Sequence, residues 1–468
     1  MTDPVRHLAL RAAFDAMLAT GDHEELVALA AAVPVSELLP TLTWLSNHLS
    51  SGWQYGHPVM FAARASAVLG RASIADRHAL ALVLTAHSVG YLREAGLRAL
   101  AADDRAAVAL AVAADDHVPQ VRDLARQRLR ALEVDALAYA AQTLHAPARR
   151  PWGSDWRAGV RERLAAPAGG RALTQVALTE VGHLAAAAWS VAVELGHEID
   201  ASGAREPRVR GMAARVATGA ARLKFLGDRH PSVRFTAATA ADPADDSIRA
   251  ALVPLLLDRS RRVRRVAALQ LRHADDAWPR ALELATGSIH RMARLVESAC
   301  VARRPEGVGM AIDHLTSETP RLRRAALIGL LELGEADESD LRVLATDPAT
   351  RRVAVQALLA RGRLDGALLR ELVSDSAAIE GYLLAAAGQR GFWAGGAVLV
   401  AAAAGAGPHA EAAQARLLQS ARRAAVCGWI EPEPADRLAV HEAFARHRGA
   451  LAPEPAAAVA RVLGVFER

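Results

Sequence analysis

The chain has 468 residues, 52% of them hydrophobic but only 4% aromatic, with a formal net charge of +5 and a pI near 9.8. Ala, Leu and Val supply most of the apolar share, which favours helices, and few stretches carry the alternation with β-branched or aromatic enrichment that a strand needs. Two cysteines, Cys300 and Cys427, exclude a disulfide framework and a cysteine-built zinc site.

In chain order, residues 1–72 predict helices near 5–19, 23–33, 35–50 and 58–70, forming an N-terminal capping region. Met1–Leu18 is amphipathic and carries Asp15, so no cleavable leader is expected. Residues 73–145 predict paired helices, with Val121, Leu124, Ala125, Leu129 and Leu132 on one face. Residues 146–205 diverge: Pro147, Pro151, Gly153 and Pro167 punctuate them, and Trp152 and Trp156 stand between. A long apolar helix is expected near 172–196 and another near 207–226.

From 206 to 390 the text is regular. First helices are expected near 246–257, 277–286, 306–316, 338–346 and 365–374. Second helices are expected to start near Pro231, Ser260, Ser288, Thr319 and Ala349. Residues 391–468 are expected to close the open end of the core as capping repeats. The most apolar stretch, Phe392–Gly407, is shorter than the ~20 residues a membrane span needs. A cytoplasmic protein without membrane association is the expectation.

The regular part carries an arginine every 29 or 30 residues: Arg234, Arg264, Arg294, Arg323 and Arg352. Six residues before each stands Asp228, Asp258, Ser288, Ser317 or Thr346, all turn or cap residues, and Asp116 with Arg122 repeats the pattern earlier. A fixed period of this length marks a stacked-repeat architecture. A turn Asp, then a Val-Arg pair opening the second helix, then small apolar residues, resembles the HEAT-repeat family over about two thirds of the chain. The resemblance implies an all-α, right-handed α-solenoid of helix pairs. It also implies a structural ladder of hydrogen bonds through Asp116/Arg122, Asp228/Arg234 and Asp258/Arg264. Arg351 and Arg352 precede Val353, so this repeat departs from the pattern by one residue and its register is left open. Asp375 falls at a further turn position, where Gly381 replaces the arginine.

Four groups are candidates for function. The first is a basic groove. Residues 205–370 hold 29 basic and 20 acidic side chains, and Arg261, Arg262, Arg265, Arg291, Arg294, Arg324 and Arg352 fall where successive repeats stack. Such a stripe suits a protein partner with acidic groups or a phosphate backbone. Lys224 is the only lysine, and GC-rich bacterial coding bias is the simpler account of the arginines.

The second is Asp155 between Trp152 and Trp156, with Arg149, Arg150 and Arg157 nearby. The ingredients are loosely similar to those of HEAT-like alkylpurine DNA glycosylases, in which aromatic residues surround a carboxylate; two tryptophans pinning an insertion explain them as well. The third is Trp44, His48, Trp53, Tyr55 and His57, which fits a partner-binding hot spot or the end of a small core. The fourth is the set of His-Glu dipeptides at His23, His197 and His441; HEAT-repeat metal hydroxylases pair such units, but here they follow no repeat spacing, and no metal is expected. No cofactor motif occurs. The expectation is a non-enzymatic scaffold or adaptor that binds a protein partner. DNA or other nucleic-acid binding, with or without glycosylase-like chemistry, is the alternative.

Overall fold

The computed structural model describes residues 4–20, 22–49, 65, 67–146, 154–374, 381–405, 409–426 and 432–466. Trp53, Tyr55, His57, Arg149, Arg150, Trp152, Asp375 and Cys427 lie outside the described residues. All regular structure among the described residues is helical, and no strand occurs there. The chain divides into two compact units, Met1–Ala240 and Ala241–Arg468.

In the first unit the helices Pro4–Thr20, Glu24–Ala31 and Val35–His48 begin the chain. Ile74–Leu84 then pairs with Gly90–Ala99, and Asp104–Ala113 with Pro119–Ala131. Gly90–Ala99 also packs on Pro119–Ala131, so second helix meets second helix. The same holds for Pro207–Val216 and Pro231–Thr239. Local chemistry sets these starts. Asp103 and Ser73 accept amides of the first turn, and Pro119, Pro207 and Pro231 open helices where an amide would have no partner.

Two expected helices prove to be four. The span 172–196 is broken into Pro167–Thr179 and Gly182–Glu194, and 207–226 into Pro207–Val216 and Gly219–Leu226. Gly182 and Gly219 take φ of +67° and +47°, left-handed values that stop a helix and that glycine adopts without a Cβ clash. Apolar periodicity runs straight through both breaks, which is why it conceals them.

In the second unit the expected order is present nearly residue for residue. First helices are Asp246–Leu252 with a 3₁₀ extension to Leu257, Ala277–Ala285, Pro305–Leu315, Glu338–Thr346 and Gly366–Ser374. Second helices are Arg261–Gln270, Ile289–Val301, Pro320–Leu333 and Arg351–Ala360, each packed on the next. Val263, Ala267, Val296, Ala326, Leu327, Val355 and Leu358 are fully buried between them. Small alanines let the helices approach, and burying each of the larger aliphatic side chains contributes about 1.5–3 kcal/mol. The stretch 392–404 belongs to the helix Gly381–Ala404, which is interrupted at Gly391 (φ +86°, ψ −175°). No helix among the described residues is long and apolar enough to cross a membrane. Cys300 is a buried free thiol, as expected, and burial pushes it up to about 12, with the Glu297 charge adding to the effect.

Candidate functional site

The periodic arginines form the ladder first, and what remains of them forms the surface. Each ladder guanidinium turns back to the main-chain oxygens of its own turn, six and in most cases also five residues earlier. Arg93 reaches the His87 and Ser88 carbonyls at 2.7 Å, and Arg210 reaches Ala204 and Arg205 at 2.7 and 3.1 Å. Arg122, Arg234 and Arg264 reach the carbonyls of Asp116, Asp228 and Asp258 at 3.2, 2.7 and 2.9 Å. The pairs read from the sequence are therefore joined through the main-chain oxygen of the aspartate. The carboxylate instead serves the preceding repeat: Arg93 holds Asp116 at 2.7 Å, Arg210 holds Asp228 at 2.6 Å and Arg323 holds Asp347 at 2.8 Å. Each of these carboxylates also accepts the amide two residues on, at Val118, His230 and Ala349.

Arg93 and Arg210, with their aspartates, are nearly fully buried. Burial alone would raise the Asp228 carboxyl, but hydrogen bonds from Arg210 and the His230 amide hold it below the usual carboxylate range. Hydrogen bonding from Arg323 does the same for Asp347.

Two periodic arginines are out of register. In the repeat left open by the sequence, the ladder position belongs to Arg351. It is buried and donates to the Ala345 and Thr346 carbonyls at 3.2 and 2.9 Å, whereas Arg352 is exposed. The turn before it is shorter: Asp347 precedes Arg351 by four positions, not six, and the helix starts on Arg351 itself. Arg294 also leaves the ladder. Ladder arginines such as Arg264 and Arg323 sit four residues after their caps, Ser260 and Thr319, but four after the cap Ser288 stands Met292. Arg294 donates instead to the Leu257 carbonyl at 3.1 Å. Burial and the charges of Arg264, Arg321 and Arg259 lower its pKa.

Of the expected groove, the structure brings one cluster together. Arg261 and Arg265, one helical turn apart, both donate to the Glu332 carboxylate, at 2.7 and 3.0 Å. Arg264 is ion-paired with Glu297 beside them. Ser298, Val301 and Ile328 complete this face, which spans three successive second helices. Arg262, Arg291, Arg324 and Arg352 are exposed; Arg291 donates to the Leu284 carbonyl at 3.1 Å, and Arg352 lies 5.9 Å from the Tyr382 ring. Sequence reasoning missed Glu297 and Glu332, because nothing in their local pattern says that they turn toward another repeat. It also missed Arg210, although Pro207, Val209 and Arg210 match Pro231, Val233 and Arg234, and that signal was available.

Asp155 is exposed in the first turn of the helix Ser154–Ala165, while Trp156 is 5% exposed. The Trp156 indole N–H donates to Asp115 at 2.8 Å, and Arg157 reaches the same carboxylate at 3.0 Å. Trp156 thus serves the interior, pinning this helix to the turn at Asp115. Trp44 stacks on His48 with centroids 4.0 Å apart and on His7 at 5.0 Å. His197 bonds the Leu164 carbonyl at 2.9 Å. No group of three metal-ligating side chains occurs among the described residues.

No family model matches the chain, and no curated protein matches it. Among solved structures, one titled as the crystal structure of an engineered protein is similar at 14% identity, over 98% of this chain and 99% of that one, with a TM-score of 0.18.

Proposed function

We propose that this chain is a non-enzymatic scaffold, a HEAT-like α-solenoid that binds a protein partner along the exposed face of its second helices. The carrying observation is the Arg261–Glu332–Arg265 clamp with the Arg264–Glu297 pair beside it. A phosphate backbone would have to displace the Glu332 carboxylate, already bound at 2.7 and 3.0 Å, and the Glu297 carboxylate on Arg264. A protein surface of mixed charge can exchange with them, and Val301 and Ile328 offer apolar contact at the centre. Side chains of Arg261 and Arg265 remain more than half exposed, so they are accessible to such a partner.

Nucleic-acid binding is the second reading, favoured by the exposed Arg262, Arg291, Arg324 and Arg352. A labelled duplex titrated with the protein across a salt series separates the two. The scaffold reading expects weak binding that an Arg261/Arg262/Arg265→Ala variant barely changes. Submicromolar binding with a steep salt slope, lost in that variant, overturns it.

A further inference from the structure

The unit Met1–Ala240 holds an open cavity of about 660 Å³ that the repeat ladder does not account for. The helices Pro4–Thr20, Val35–His48, Ala141–His145, Gly182–Glu194 and Pro207–Val216 meet around it. Its size lies within the range of small-molecule sites, about 300–1,000 Å³. The side chains divide by chemistry. Leu39, Pro40, Trp44 and Met212 give an apolar wall. Arg208, His183 and His145 give a wall rich in nitrogen, with Arg208 Nη1 3.4 Å from His183 Nδ1. No Asp or Glu lines the cavity among the described residues.

Two carboxylates stand behind lining residues, each held by hydrogen bonds or ion pairs. Glu206 accepts the Gly182 amide at 2.7 Å and the Arg208 amide at 3.2 Å. Glu194 lies 3.3 Å from His145 and takes Arg161 at 3.0 Å. Trp44 is fixed between packing partners: His48 stacks on it at an interplanar angle of 11° and His7 at 22°. The Trp44 ring is therefore held in place before any ligand arrives, which lowers the ordering cost of binding.

We infer that this cavity is a binding site for a small organic acid, its apolar body against Trp44, Pro40 and Met212 and its anionic head at Arg208 and His183. Arginine suits a carboxylate or phosphate head because its planar fork donates two parallel hydrogen bonds. A cationic ligand of the same shape meets one arginine and no carboxylate in the lining, and it is rejected. This site lies within the first unit, and its existence does not depend on the scaffold reading, which rests on residues of the second.

The test uses the full chain and anilinonaphthalene sulfonate as a fluorescent amphipathic anion, displaced by 4-phenylbutyrate or by its amine isostere 4-phenylbutylamine. Phenyl phosphate, in a third arm, distinguishes a phosphate head from a carboxylate. The expected result is displacement by at least one of the two acids with an affinity at least tenfold above that of the amine. Arg208→Gln, at an exposed position, reduces that acid's affinity at least tenfold, and Met212→Trp, which puts a bulkier ring into the lining, weakens displacement. Arg171→Gln, outside the lining, changes neither. Equal displacement by acid and amine, no displacement at all, or an Arg208→Gln variant that binds like the parent overturns the proposal. Arg208→Gln decides the matter even where Met212→Trp disturbs the fold, which circular dichroism reports.

Discussion

Arg210 and Asp228 are 3% and 8% exposed and joined by two hydrogen bonds at 2.6 and 3.1 Å. Removing one member strands the other in the interior, which costs about 3–5 kcal/mol, more than the pair contributes net. Arg210→Ala and Asp228→Ala should each lower the unfolding free energy measured in urea by that amount, and the loss in the double variant should fall well short of their sum. Additive losses would mean the two side chains act independently. His87 occupies the turn position of its own repeat, six residues before Arg93, and its Nδ1 accepts the Val89 amide at 3.0 Å as the aspartates do elsewhere. Burial, with the Arg93 charge adding to it, lowers His87 from 6.5 to about 4. The neutral form is the folded form. Its stabilisation is complete above pH 6.5 and is lost as the pH falls toward 4, on the order of 3 kcal/mol at about 1.4 kcal/mol per unit. His87→Asn keeps the acceptor and removes the titration. Unfolding free energies of the two proteins should therefore converge or cross between pH 7 and 4; parallel curves would exclude this role.

At the scale of the element, caps and breaks decide where helices begin and end. Gly391 has φ +86° and ψ −175°, a region essentially confined to glycine. Gly391→Ala is expected to cost about 1–3 kcal/mol for that reason. Gly388, three residues earlier, has room for a Cβ, whose nearest neighbour is the Arg416 side chain at 3.7 Å. Gly388→Ala should be neutral or stabilise by up to about 1 kcal/mol, since it removes backbone freedom from the unfolded chain. Thermal unfolding of the two variants side by side checks the contrast, and a loss at both positions would point to packing instead of backbone strain. Gly182 and Gly219 also take positive φ. Their side-chain pattern reads as continuous helix, and only their backbone angles reveal the breaks.

For the whole molecule, the repeated contact between consecutive second helices makes stability a local quantity within each unit. Hydrogen exchange on Arg210→Ala should accelerate in the helices Pro207–Val216 and Pro231–Thr239, which pack on each other, and leave amides of 261–360 unchanged. Acceleration throughout the chain would show global cooperativity instead. The same modularity bears on function. The mixed-charge face proposed for a protein partner lies in the second unit and the acid-binding cavity in the first. Substitutions that test one are therefore not expected to disturb the other.

The all-helical class, the helix pairs from Asp246 to Ala360 and the turn–arginine interval were legible in the amino-acid order alone. These depend on interactions within about six residues: a cap, a proline at the first helical position, and an arginine bonding its own turn. Tertiary structure decided which arginine is which. It assigned Arg351 over Arg352 to the ladder, moved Arg294 onto Leu257, and delivered the Asp116, Asp228 and Asp347 carboxylates to the arginine of the preceding repeat. It also placed Glu332 between Arg261 and Arg265, about 70 residues away, and assembled a cavity from five helices spread over more than 200 residues. The physical reason is range. A periodic pattern records the bonds a residue makes to its own turn. An ion pair or a pocket wall between repeats depends on how helices stack, and no local spacing encodes that.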